Sequence, residues 1–321
     1  MDRRPDGPLR AARARSISPQ PDCGWASVVL PRSQPWVHTS LVDELVLSPA
    51  RGSVAGHVPI YAGYRSVDVP PAQHRGLPSP WMTVVLTLDE PLRVDAHPDP
   101  GQAGGYFAAL VGGLHTRPAL LSHDGRQSGV QLSLSPLSAR AMLGVPAGEL
   151  AGIDVHAEDL VGPRVRGLRE QLLAQPSWDC RFALLDRVLG SWLADVPGPP
   201  AEVTRAWQVL LARGGNVWVE ALARHVGWSS RHLGVRFRHE VGLSVKEAAR
   251  VLRFDRARRA LQAAPATRLS DLAAAHGFYD QAHLAREFRE LAGLPPSRWL
   301  AAEGIASVQD EGCSGGAGSA A

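Results

Sequence analysis

Lysine is all but missing from this chain of 321 residues: Lys246 is the only one, and every other side chain among the 34 basic residues is arginine. With alanine, glycine and proline abundant, that is compositional bias before it is function. Cysteine is scarce too. Cys23, Cys180 and Cys313 are odd in number, far apart and in no CxxC arrangement. This argues against a disulfide framework or a zinc knuckle and makes a reducing cytoplasm the expected setting. Long apolar runs are absent. The best, such as Trp81–Leu88, are strand-sized, against the ~20 residues of a membrane span. The basic N-terminus has no apolar stretch of the secretory kind, so no membrane association is expected.

Catalytic signatures are equally thin. Seven histidines lie in the first two-thirds (His38, His57, His74, His97, His115, His123, His156), yet none forms an HxH pair with a following Glu or an HExxH motif, and no GxSxG turn occurs in that region. Without them there is no signal for a metal site, a cofactor or an activated nucleophile. These histidines read as surface or hydrogen-bonded groups, and the chain as no enzyme. A metal-dependent enzyme fused to a binding domain is the weaker alternative.

What is present is an ordinary globular balance, 45% apolar and 20% charged residues, in a chain long enough for two domains. The net charge of +3 conceals an uneven distribution. Residues 202–300 hold 16 basic against 9 acidic side chains, a net of +7, which leaves −4 for the remainder. A basic module for a polyanion beside a domain of another kind is the reading.

Four regions follow along the chain. Residues 1–22 are rich in Arg, Pro and Ser without periodicity and are expected to be disordered. Residues 23–196 form the first domain, with strands over 25–135 and helices over 136–195. Its apolar runs are Ala26–Leu30, Leu41–Leu47, Val58–Val69, Trp81–Val94 and Tyr106–Leu114. Val130, Leu132 and Leu134 alternate with Gln131 and Ser133, the mark of a strand. Ser135 and Pro136 read as an N-cap and first turn of a helix to about Leu143. Two further helices are expected over roughly Glu158–Ala174 and Ser177–Ala194. Trp25, Trp36, Trp81, Tyr61, Tyr64, Tyr106 and Phe107 could line an apolar ligand pocket, although filling the core is the commoner use of such residues. A linker, 197–201, separates this from a helical domain, 202–303, and residues 304–321 read as a flexible tail.

The helical domain contains a repeat. Leu222, Ala223 and Gly227 match Leu272, Ala273 and Gly277 at an offset of 50. Ser229, His232, Leu233, Phe237, Arg238, Gly242 and Leu243 match Asp280, His283, Leu284, Phe288, Arg289, Gly293 and Leu294 at an offset of 51. Each unit runs from an amphipathic helix through a glycine and an aromatic plug, Trp228 or Phe278, to an N-cap, Ser229 or Asp280, and a second helix. That is the grammar of a helix-turn-helix. One face of each second helix is apolar. The other carries Ser230, Arg231, Gly234 and Val235 in the first unit, and Gln281, Ala282, Ala285 and Arg286 in the second. Small and polar residues there suit a helix that reads base edges. Arg238 and Arg289 are placed a turn later, for phosphates. Between the units, Ser244 to Glu247 spells a capping box that opens a rod reaching about Ala263.

The second unit, GFYDQAHLAREFR from Gly277 to Arg289 and GLPPSRW from Gly293 to Trp299, resembles the DNA-binding domain of AraC/XylS-type transcription regulators, over residues 202–303. The resemblance implies an α+β chain. A strand-rich sensory or dimerisation domain, a small β-barrel of cupin-like kind with following helices, would precede an all-α domain of seven helices, in which a linker helix joins two helix-turn-helix units. It implies sequence-specific binding to double-stranded DNA, with recognition helices at about 229–241 and 280–292. RNA polymerase, a small-molecule effector and a second copy are the further partners it suggests. For the first domain the match is one of order and composition, and a ligand-free dimerisation or protein-contact module is its alternative reading. One departure stands out. Members often carry Arg where this chain has Val235, and here the Arg comes one place later, at Arg236, ~100° around the helix. The first helix is therefore expected to read bases less than the second.

Overall fold

The structure, a computed structural model, describes residues 44–303. The expectations for 1–22, for the strand Ala26–Leu30, for Cys23, Trp25, Trp36 and His38, and for the tail 304–321 fall outside the described residues. The strands are β1 (Glu44–Pro49), β2 (Ile60–Ser66), β3 (Ala72–Gly76), β4 (Met82–Thr87), β5 (Leu92–Ala96), β6 (Gly105–Phe107), β7 (Ala109–Gly112), β8 (Ala119–His123), β9 (Gln127–Leu134) and β10 (Asp154–His156). They form two antiparallel sheets, one in the order β1-β2-β9-β4-β7-β10 and one in the order β3-β8-β5-β6.

The sheets pack on each other through Tyr64, Val85 and Leu110 from the first and Val94 and Phe107 from the second. The far face of the larger sheet is covered by helices: Val84, Leu86, Val111, Leu132 and Leu134 face Val165, Leu168 and Leu189 across a narrow apolar gap. These belong to α1 (Ala139–Leu143), α2 (Ala157–Val161), α3 (Arg164–Leu173) and α4 (Trp178–Trp192), with Leu168 on α3 and Leu189 on α4. The larger sheet is thus covered on both faces. That is why Ser133, a polar position in the alternating pattern of β9, is buried rather than solvated.

Several boundaries differ from the sequence reading, each for a local reason. The run Trp81–Val94 is two strands in different sheets, because the Asp89-Glu90-Pro91 turn carries the chain from one to the other. Tyr106–Leu114 divides likewise at Ala108. The helix expected over Glu158–Ala174 breaks at Gly162, whose φ of 75° is followed by Pro163. Ser135 opens a 3-10 turn, Pro136–Ser138, and its hydroxyl makes no capping bond; α1 begins only at Ala139. Strands β3, β8 and β10 had no long apolar run to announce them. Of the aromatic residues, Tyr61 and Phe107 fill the core; Tyr61 stacks on Phe182 and donates to Asp186 at 3.0 Å. Tyr106 is exposed.

From Ala201 the chain is helical: α5 (Ala201–Ala212), α6 (Val219–Val226), α7 (Ser230–Val241), α8 (Val245–Ala263), α9 (Leu269–Ala275), α10 (Gln281–Ala292) and α11 (Pro296–Ala302). These are the seven helices the resemblance implies. The core beneath them holds Trp207, Phe237, Phe254, Phe288 and Trp299, all fully buried. Phe237 lies against Trp207, and Phe288 between Phe254 and Trp299.

Candidate nucleic-acid interface

Both helix-turn-helix units are built the same way. Gly227 (φ 80°) and Gly277 (φ 76°) take the left-handed conformation that ends α6 and α9. The following aromatic residue turns the chain back: the Trp228 N–H donates to the Ala223 carbonyl and the Phe278 N–H to that of Ala273, at 2.9 and 3.0 Å. Ser229 Oγ accepts from the His232 N–H at 3.2 Å and Asp280 Oδ1 from the His283 N–H at 2.6 Å, which starts α7 and α10. Leu233 and Phe237, like Leu284 and Phe288, lie in the core. Their burial fixes which side of each helix is left outside.

On that outer side, Arg231, Val235, Gln281, Ala282 and Arg286 are exposed, and Ser230, Gly234 and Ala285 are half-buried. Val235, 64% exposed, is among the few large apolar side chains left in solvent. Arg236 instead lines a groove with Glu240, Arg140 and Trp192, away from this face. Of the two arginines expected at phosphates, Arg289 is exposed. Arg238 is held at 2.8 Å by Glu247. Burial works to raise the Glu247 carboxyl, but the Ser244 hydrogen bonds with Arg238 and Arg250 together keep it below its ordinary value. Glu247 also completes the capping box with Ser244, at 2.8 and 3.2 Å, so α8 starts where the sequence expects. Its 19 residues make a rod of ~28 Å. Arg250 on this rod binds Glu287 at 3.0 Å and also reaches Glu290, tying α10 to it.

Sequence reasoning missed how the first domain meets these helices. Arg140 of α1 forms a fork onto Glu240 of α7, at 3.0 and 3.2 Å, and donates to His239 Nε2 at 3.0 Å. Glu240 is only 4% exposed, and its hydrogen bonds raise the Arg140 guanidinium above its ordinary value. Beside the fork, backbone meets backbone: a Cβ on Gly148 would sit 2.3 Å from the His239 carbonyl oxygen. A signal did exist. Glu240 occupies the repeat position at which the second unit buries Leu291, and a buried acid in place of leucine calls for a partner from elsewhere. The end of α10 also approaches this domain, since a Cβ on Gly293 would meet Pro118 at 3.6 Å and Arg75 at 3.7 Å. Arg75 lines a cavity of about 100 Å³ between the sheets, with Tyr64, His74, His115, Gln131 and Asp154. Among the described residues no group of three or more His, Cys, Asp or Glu is arranged to hold a metal ion, and no helix is long and apolar enough to cross a membrane.

Residues 222–302 match a family model described as a helix-turn-helix domain. No curated protein matches the chain. Among solved structures, an AraC-type DNA-binding transcriptional regulator from Chromobacterium violaceum is similar at 24% identity, covering 32% of this chain and 91% of that one, with a TM-score of 0.29. The C-terminal domain of AraT, a response regulator from Geobacillus stearothermophilus, is similar at 19% identity, 32% and 84% coverage, and a TM-score of 0.30. ToxT from Vibrio cholerae, solved with an unsaturated fatty acid bound, is similar at 10% identity, 76% and 95% coverage, and a TM-score of 0.47. The family-model match thus lies on a doubled, separately capped unit joined by a rod, and residues 222–302 carry a helix-turn-helix domain.

Proposed function

We propose that α7 and α10 enter successive major grooves on one face of a duplex, and that the first domain governs whether they can. The observation that carries this reading is the doubling: two capped helices, each with its apolar side in one core and a small, polar or cationic side outside, joined through a rod of ~28 Å. One turn of duplex is ~34 Å. Ser230, Arg231, Gly234 and Val235 read one groove; Gln281, Ala282, Ala285 and Arg286 read the next. Arg238 and Arg289 hold phosphates. For Arg238 this means exchanging Glu247 for a phosphate oxygen, so that DNA competes with an existing ion pair.

Control by the first domain is supported by its contacts with the ends of both helices: the Arg140 fork on Glu240, and Pro118 with Arg75 beside Gly293. Arg75 belongs both to that contact and to the cavity wall. A small molecule in the cavity would press on the seat of α10. This favours an effector-responsive domain over a ligand-free dimerisation module.

Two substitutions test the roles. Arg286→Ala is expected to cost ~1–3 kcal/mol on the cognate site and to relax selection at its base pair. Arg289→Ala is expected to weaken all sequences alike and to flatten the salt dependence by about one unit of slope. Equal effects of both on cognate and random duplex, measured by titration across salt, would contradict the assignment.

A further inference from the structure

The two reading helices differ at matched positions. Val235 occupies the place in the repeat that Arg286 holds in the second unit, and Gly234 the place of Ala285. The displaced arginine does not compensate, because Arg236 lines the groove beside Glu240 and Arg140. So the middle of the exposed face of α7 carries an isopropyl group, 64% exposed, next to a glycine around which a Cβ would meet nothing within 4 Å. Neither residue has a side-chain hydrogen-bond donor or acceptor. Exposed valine in that position costs apolar hydration and gains nothing from its own fold. In the major groove the apolar group available to it is the C5-methyl of thymine.

We propose that α7 reads thymine by methyl contact, Val235 seating against one or two thymine C5-methyl groups, while α10 reads by hydrogen bonding through Gln281 and Arg286. This rests on the reading that α7 and α10 enter major grooves. The lack of a side chain at Gly234 lets the helix approach closely enough for the short Val235 to reach. Ser230 and Arg231, about one turn nearer the N-terminus, supply the hydrogen bonds the first unit retains. The two half-sites then differ in chemistry: one holds thymine where methyl burial decides, the other holds adenine or guanine where donors decide.

The test starts from sequences that the full-length protein selects from a random duplex pool. The block whose selection relaxes in Arg286→Ala belongs to α10, and the other to α7. Thymines in the α7 block are then replaced one at a time by deoxyuridine, which removes only the methyl group. At least one replacement is expected to weaken the wild-type protein about fourfold, the effect of one apolar carbon. Val235→Ala is expected to bind the thymine site more weakly and to show no further loss with deoxyuridine there. The same replacement in the α10 block should affect both proteins equally. Val235→Arg is expected to move selection at that position toward guanine. An α7 block without thymine, or the same deoxyuridine penalty in wild type and Val235→Ala, overturns the inference and leaves groove binding standing. If the pool yields no enriched sequence, groove reading fails and this inference with it. Val235 is exposed, so its variants are expected to keep the wild-type melting temperature; a drop would mean that the side chain serves the fold, which also contradicts the inference.

Discussion

The two helix-turn-helix units are alike where they fold and different where they meet something else. In both, a left-handed glycine, an aromatic turn, a side-chain cap and a buried Leu/Phe pair recur in the same order, with one extra residue, Tyr279, before the cap of the second unit. The units part company at their anchors. α7 is tied to the first domain through Glu240 and Arg140 and to the start of the rod through Arg238 and Glu247, whereas α10 is tied to the rod through Glu287 and Arg250. Their outer faces part as well, Gly234 and Val235 against Ala285 and Arg286. The repeated scaffold keeps the residues that set its geometry, while the first unit is tied to the neighbouring domain by an ion pair and the second approaches it through Gly293 beside Pro118 and Arg75.

The sharpest way to break the claim of equal scaffolds is to remove the core plugs. Phe237→Ala and Phe288→Ala are each expected to cost about 3–5 kcal/mol, because both side chains are fully buried and neither site can collapse fully around the loss. Denaturant unfolding measures both, and a large inequality would mean that one unit leans on its surroundings more than the repeat suggests. Next in size is the anchor. Arg140→Ala leaves the Glu240 carboxylate buried without its cation and is expected to cost about 2 kcal/mol, less than a fully buried pair because Arg140 is partly exposed. Hydrogen exchange should show amides near the end of α7 losing protection while those of α10 keep theirs. Loss in both helices alike would contradict separate anchoring. Smallest are the caps: Ser229→Ala and Asp280→Ala should each cost about 1 kcal/mol, read as matching falls in melting temperature.

The same contrast explains what the sequence made legible. Local chemistry writes itself into neighbouring residues, so the caps Ser229 and Asp280, the glycines, the capping box at Ser244 and the rod ending at Ala263 could all be read directly. The strand alternation around Val130 was legible for the same reason. Contacts between distant segments leave a fainter record, such as an acid at Glu240 where the other unit has Leu291. Nothing near Arg140 announces Glu240, a hundred residues away, and nothing near Glu247 announces that it binds an arginine expected at phosphate. Strand β3 is polar and β8 offers only the short run Ala119–Leu121 before Ser122 and His123, so neither carries a long or alternating apolar pattern. The break falls at Gly162 and Pro163, with helical residues on either side of it.

In the proposed binding mode one chain reads two successive grooves through two units of the same design. Selection of bound sequences from a random duplex pool, with the full-length protein at near-physiological salt, tests it most directly. Two short blocks whose centres lie about 10 base pairs apart, one helical turn, are expected. A single block, or binding that responds to salt without enriching any sequence, would contradict it.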